Sequence, residues 1–140
     1  MWIHCSPISS DTLKKFEVAF DFTINAPLRD FLLSHNSGIT RQCSLITNIK
    51  ERRLASILDF SPGGNAWEIN RRMRKQLGKK ILVIGTDKND NYLCIRRELR
   101  QQTLVIWNHI TDTLEESSTE TPVVLMAWQS AATTTGERSD

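Results

Sequence analysis

The sequence predicts a single α+β domain built around a buried β-sheet. Three short apolar runs, residues 81–84, 92–95 and 103–107, are rich in branched and aromatic side chains and are separated by short polar connections. Such runs are typical of strands that are buried on both faces in the middle of a sheet. Amphipathic helical patterns precede these strands, and 140 residues are enough for one self-sufficient core.

Composition narrows the class of protein further. Hydrophobic residues make up 39% and charged residues 24% of the chain, which excludes disorder throughout. The net charge of +2 is too small to indicate nucleic acid or a membrane by itself. No apolar run is long enough to span a bilayer, the N-terminus lacks a signal pattern, and the three cysteines are odd in number and far apart. We therefore expect a cytoplasmic protein with free thiols.

Two helices are predicted before the sheet. Leu13, Phe16 and Phe20 recur at helical spacing after Ser9-Ser10-Asp11, which offers capping oxygens, and this predicts a helix over about 11–20. A second helix should begin at Asn25-Ala26-Pro27, with the Asn25 side chain as its cap. It should end at Gly38, which can adopt the left-handed conformation of a helix C-cap.

Two strands, a basic helix and a polar tail are predicted for the remaining parts of the chain. Strands are predicted over 41–47 and 54–60, and the break over 61–65 should lead into a basic amphipathic helix over 66–77, capped by Asn65 and ended by Gly78. Residues 111–121 are acidic and polar, and 122–129 form a last apolar segment. Residues 130–140 have little to bury, so we expect the domain to cover 1–129 and a disordered polar tail to follow.

The loop after the first central run admits two interpretations. Asp87, Asn89 and Asn91 alternate, and Glu98 falls at the twelfth position, as in a calcium-binding helix–loop–helix. However, Tyr92 replaces the required glycine, and the flanking runs predict strands. A hairpin loop accounts for the same residues, because Asp and Asn tolerate left-handed backbone. We expect no metal and no cofactor.

The strongest charge feature is the basic run of the 66–80 segment. Arg71, Arg72, Arg74 and Lys75 could together bind an acidic protein or, less favourably, nucleic acid, since no nucleic-acid motif accompanies them. The alternative is a solvated helix face balanced by the acidic stretch 112–120. Trp67, at the start of this helix, is the tryptophan that we expect to be partly exposed at a binding surface, where Trp and Arg are typical anchors.

Nothing in the sequence indicates an enzyme. His4, His35 and His109 are far apart, and none neighbours a nucleophile or a carboxylate in a recognisable catalytic pattern. Glycine-rich phosphate loops, zinc-protease motifs and paired cysteines are all missing from the sequence. A hydrogen-bonded histidine at the end of a strand is the simpler interpretation of His109.

Four segments, read together, resemble the SUKH superfamily, whose members include the Smi/Knr regulators of fungal cell-wall synthesis, Syd and many bacterial immunity proteins. INAPLRDFLLSHNSG at 24–38 is similar to the family's first motif helix, and ILDF at 57–60 resembles the strand that follows. IGTDKNDNYLCI at 84–95 is similar to its glycine-rich hairpin, and VIWNH at 105–109 resembles its tryptophan strand. The order and spacing of all four segments fit.

The resemblance implies a largely antiparallel sheet flanked by helices and a protein that works by binding another protein. In bacterial relatives that partner is most often a toxin, which the immunity protein blocks by masking its active site. The alternatives are a regulatory or scaffold domain without a toxin partner and a nucleic-acid-binding domain that uses the basic helix. Because many such toxins have basic clefts, an acidic face is also a candidate. We expect the binding residues among Trp67, Arg71, Arg72, Arg74, Lys75, Asp87, Asn89, Asp112, Glu115 and Glu116.

Overall fold

The computed structural model describes residues 2–129, and it shows a single α+β domain with an eight-stranded antiparallel sheet and flanking helices. The predicted fold class is confirmed. The strands are β1 (Trp2–Ile3), β2 (Ile39–Thr40), β3 (Ser44–Ile46), β4 (Glu51–Ile57), β5 (Ile81–Asp87), β6 (Tyr92–Arg97), β7 (Gln102–Asn108) and β8 (Thr113–Glu116). The helices are α1 (Ser10–Ala19), α2 (Ala26–His35), α3 (Asn65–Leu77) and α4, residues 121–129. The predicted tail, 130–140, lies outside the described residues.

The strand order is β1-β2-β4-β5-β6-β7-β8, and β3 pairs with the first half of β4. A bridge between Thr47 and Ser117 joins the end of β3 to the end of β8. Two backbone bonds support it, from Asn48 N–H to the Glu116 carbonyl and from Ser118 N–H to the Ile46 carbonyl, both at 2.9 Å. The strands from β3 to β8 therefore close on themselves at this side of the sheet.

The three predicted central strands are confirmed as β5, β6 and β7, each slightly longer than its apolar run. Val83, Cys94 and Val105 lie side by side across them, and all three are fully buried. The register shifts in β5 between Val83 and Gly85. A side chain at Gly85 would meet the Ser56 carbonyl oxygen at 2.4 Å, so the close approach of β4 requires glycine at this position.

The first two helices form as predicted, but the residues at the two ends of α2 act differently from the prediction. Ser9 caps α1 by accepting from the Thr12 N–H at 3.1 Å. Asn25 precedes α2 without a side-chain capping bond, so that prediction is wrong; its N–H instead donates to Gln102 Oε1 at 2.8 Å. The left-handed residue after α2 is Ser37, not Gly38. Gly38 lies in a tight space, because a Cβ there would lie 2.7 Å from Cys5 Sγ and 3.0 Å from the His35 carbonyl oxygen.

Helix α3 carries the predicted apolar stripe, and Asn70 lies within it. Strand β4 pairs with β5 only as far as Gly85. Along the rest of that edge of β5, α3 packs in place of β4. Asn70 Nδ2 donates to the Val83 carbonyl at 2.9 Å and its Oδ1 accepts from the Val83 N–H at 2.8 Å. The helix starts after Gly64, not after Asn65 as predicted, because the Asn65 side chain accepts from the Asp59 N–H. One buried side chain thus takes the place of a strand neighbour.

Two segments between the helices differ from the predicted strands. The strand predicted over 41–47 is only Ser44–Ile46, and the one predicted over 54–60 runs from Glu51 to Ile57. The chain leaves the sheet after Ile57 because Asn36 and Asp59 hold it: Asn36 Nδ2 donates to Asp59 Oδ1 at 3.0 Å, and Asn36 Oδ1 accepts from the Phe60 N–H at 2.7 Å. The end of α2 and the start of the 58–64 loop are fixed to each other by these bonds.

The acidic stretch 111–121 contains a strand that the sequence analysis did not predict. In β8 the buried residue is Glu115, whereas Leu114 is 39% exposed. The Glu115 carboxylate accepts from Arg52 Nε at 2.9 Å, forms an ion pair with the same guanidinium, and accepts from Thr47 Oγ1 at 2.7 Å. Both ion-pair side chains are nearly buried, so this pair ties β4 to β8 inside the closed side of the sheet.

The stability of the domain should fall in acid partly because of this pair. Hydrogen bonding from Arg52 holds the pKa of Glu115 below its ordinary value, despite burial, which acts in the opposite direction. A carboxyl with a lowered folded-state pKa contributes its full stability above the unfolded value of about 4.3 and loses it as the pH falls further. We expect the free energy of unfolding to decline below about pH 4.3, measured by urea unfolding at several pH values. A variant in which both partners are apolar should show a shallower decline, and an identical profile would contradict the assignment.

Candidate protein-binding surface

One side of α3 combines an aromatic anchor with exposed cations. We call it the α3 surface and define it by Trp67, Glu68, Arg71, Arg72, Arg74 and Lys75 of α3, the loop 62–64, and Ala19 and Phe20 at the end of α1. It contains two shallow concavities of about 330 and 350 Å³. Trp67 and Arg71 line both of them, so these two residues lie at the centre of the surface.

Trp67 is held rigidly with part of its ring open to solvent. Its indole N–H donates to the Phe60 carbonyl at 3.2 Å, and its ring meets Phe16 edge-on with centroids 5.3 Å apart. Phe20 packs beside it at 5.8 Å. Trp2, Trp107 and Trp128 are all buried, so Trp67 is the half-exposed tryptophan, as its position in the sequence predicts. A rigid, partly exposed tryptophan loses little conformational entropy when it is covered by a partner.

The arginines and lysines of α3 divide into two groups. Arg74 is half-buried: its guanidinium donates to the Phe20 carbonyl at 2.8 Å and lies 6.0 Å from the centre of that ring. Arg71, Arg72 and Lys75 are exposed. Among residues 2–129, Arg72 is the one member of this group with a carboxylate within 4 Å, that of Glu68 at 3.9 Å, and both side chains are more than half exposed. Such a pair contributes little, so the positive charge of the exposed group is largely uncompensated.

The two arginines of β6 are used differently. Arg97 donates to the carbonyls of Lys79 at 2.9 Å and Asp21 at 3.4 Å, and it stacks on the Phe22 ring at 4.9 Å. Arg96 lies between Glu98 and Glu116, at 3.1 and 2.9 Å. The structure therefore leaves Arg71, Arg72 and Lys75 of α3 exposed and engages the arginines of β6 in contacts within the domain.

The predicted acidic and amide residues lie elsewhere. Asp87 is buried at the end of β5, where it closes the hairpin loop by accepting from the N–H groups of Asn89 and Asn91, both at 2.8 Å. Asn70 of α3 bonds to Val83, four residues before Asp87 on β5, but neither Asp87 nor Asn89 lines the two concavities beside Trp67. The structure thus shows the hairpin interpretation of this loop, and it does not bring Asp87 or Asn89 to the α3 surface.

The acidic stretch is mostly engaged within the domain. Asp112 accepts from the indole N–H of Trp107 at 3.0 Å, Glu115 is paired with Arg52, and Glu116 with Arg96. Of the predicted set, Trp67, Arg71, Arg72, Arg74 and Lys75 lie together, and the remaining five residues do not join them. Sequence reasoning did not include the loop 62–64 or Phe20 in the site. Phe20 reaches Trp67 from the end of α1, a contact that no local pattern shows. The Pro-Gly-Gly break just before the helix was a local signal for the loop.

The histidines do not assemble a catalytic group. His35 stacks on Phe31 with ring centroids 4.1 Å apart, and burial lowers its pKa. His109 packs against Tyr92 and Trp107 at the end of the sheet. Within residues 2–129 no three histidine, cysteine, aspartate or glutamate side chains are grouped so that they could hold a metal ion. In the same range, no helix has the length and apolar character that crossing a membrane requires.

Comparison with known proteins gives one match. A model of the SMI1 / KNR4 family (SUKH-1) matches residues 7–124, from the segment before α1 to the first turn of α4. No curated protein and no solved structure matches the chain. The matched range contains α1, α2, α3 and strands β2 to β8, so it covers most of the fold and the whole α3 surface.

Proposed function

The chain belongs to the SMI1/KNR4 family (SUKH-1), and we propose that it is a non-enzymatic cytoplasmic protein-binding module that neutralises a toxin effector by binding it. The observation that carries the proposal is the family match over residues 7–124. The superfamily resemblance of the sequence points to protein binding, and bacterial relatives of this kind are most often immunity proteins.

The α3 surface supports this proposal on physical grounds. Protein interfaces concentrate their binding energy in a few tryptophan, tyrosine and arginine side chains that a partner can cover completely. Trp67 and Arg71 supply such a pair, on a helix that Asn70 fixes to the central strand β5. A rigid surface of this kind binds without a large ordering cost, and a bound domain would mask the active site of an effector by steric exclusion.

Capture followed by co-expression tests the proposal. The tagged chain is used to capture its partner from the native host at moderate salt, and the captured protein is identified by mass spectrometry. The recovered domain is then expressed in a bacterial host with and without this chain. We expect the domain alone to stop growth and the co-expressed chain to restore it. A partner that is harmless when expressed alone would contradict toxin neutralisation and favour a regulatory or scaffold role.

A further inference from the structure

We propose that the partner presents a cluster of carboxylates to the α3 surface, with Trp67 and Arg71 at the centre of the contact. This inference deepens the proposed function and rests on it for the premise that the partner is a protein. It assigns both the face that binds and the chemistry of the surface that is bound.

The first argument is charge. Arg71, Lys75, Lys79 and Lys80 have no carboxylate within 4 Å in the described part of the chain, and the single pair of Arg72 is long and exposed. The acidic stretch, by contrast, uses Asp112, Glu115 and Glu116 in bonds within the domain. The exposed charge on the α3 surface is therefore mainly positive, with Arg71, Arg72 and Lys75 against the single carboxylate of Glu68, and complementarity requires a negative surface opposite it.

The second argument is the arrangement of the exposed cations around the tryptophan. Arg71 and Lys75 are four residues apart on α3, and Arg72 and Lys75 are three apart, so the three lie on one side of two helical turns. Trp67 lines a concavity of about 330 Å³ together with the loop 62–64, Glu68 and Arg71. A concavity of this size takes one side chain, with carboxylates around it for the three cations. That is a compact acidic site on a protein.

Nucleic acid fits this surface less well. Binding to a phosphate backbone depends on several cations that follow the strand and neutralise successive phosphates. The two arginines of β6 that could extend the row are committed within the domain, because Arg97 binds a backbone carbonyl and Arg96 is paired with two glutamates. Lys79 and Lys80 follow α3 at the end opposite Trp67. What remains is a cluster around one aromatic side chain.

The test uses a defined probe and does not require the natural partner. A fluorescein-labelled oligoglutamate peptide that contains leucines is titrated with the full chain and followed by fluorescence anisotropy at low and moderate salt. The variant Arg71→Glu/Arg72→Glu/Lys75→Glu is compared with the matched control Lys14→Glu/Arg41→Glu/Lys88→Glu, which makes the same change in net charge at exposed residues off the α3 surface. Thermal unfolding verifies that both variants fold.

We expect the α3 variant to bind the peptide at least about tenfold more weakly than the wild type and the control to stay within about threefold. Peptide binding should also reduce the quenching of tryptophan fluorescence by acrylamide, because Trp67 is the tryptophan that acrylamide reaches. Equal weakening in both variants would overturn the inference, since the attraction would then be diffuse. Tighter binding of a single-stranded oligodeoxythymidine of equal charge would overturn it in favour of nucleic acid. If the chain binds the peptide but does not protect cells from the captured domain, the proposed function is wrong and the inference about the α3 surface stands.

Discussion

Replacing Asn70 with leucine is expected to lower the free energy of unfolding by about 3 kcal/mol. Leucine has the same number and branching of side-chain heavy atoms but cannot bond to the Val83 N–H and carbonyl, which are both buried and both served by the Asn70 side chain. Each buried backbone group that is left without a partner costs about 1–3 kcal/mol. The midpoint of thermal unfolding should fall by about 10 °C for a domain of this size.

Urea unfolding measures the change, with Gln76→Leu as the control. Residue 76 is exposed on the same helix, so this variant adds a leucine to α3 without removing a buried bond. The Val83 amide should also exchange with deuterium faster in Asn70→Leu. Stability within about 0.5 kcal/mol of the wild type would show that water or a shift of α3 replaces the asparagine.

The second large effect is expected at the ion pair between Arg52 and Glu115. Glu115→Leu leaves the nearly buried guanidinium without its carboxylate, and breaking a buried pair in this way costs about 3–5 kcal/mol. The cost should lie near the lower limit, because about a tenth of each side chain is exposed. Chemical unfolding with the wild type as reference measures it.

The double variant Arg52→Met/Glu115→Leu separates the loss of the pair from the burial of a lone charge. Replacing both partners with apolar side chains removes the uncompensated charge, so most of the lost stability should return. The double variant should be more stable than Glu115→Leu alone. If the two single effects simply added, the guanidinium would not depend on this carboxylate for its burial.

The parts of the fold that the sequence predicted are those with a local signal. The strands β5 to β7 follow from apolar runs, and α1, α2 and α3 from apolar side chains at helical spacing. Strand β8 was missed because its buried residue, Glu115, is charged, and the arginine that makes its burial possible is 63 residues away in the sequence. A local sequence pattern cannot show a contact between residues that are so far apart in the chain.

The sequence predicted only part of the candidate site, again the part with a local signal. Trp67 and the cations of α3 lie together because they share one helix, and a helical pattern places them without knowledge of the fold. Asn70 stands between Ala66 and Met73 in the buried row of that helix, so its spacing could have identified it as a buried polar residue. Asp112 and Glu116 gave a clear charge signal, but that signal could not show that their side chains would be engaged by Trp107 and Arg96.

The most direct test of the central claim is to titrate the captured effector domain with this chain and to record both heat of binding and residual effector activity. The account predicts that wild-type chain binds one effector domain per chain and abolishes its activity at that ratio. It predicts that Arg71→Glu/Arg72→Glu/Lys75→Glu, though folded, binds more weakly and leaves the effector active, while the control with charges reversed elsewhere inhibits fully. An effector that remains active when saturated with wild-type chain would contradict neutralisation by binding.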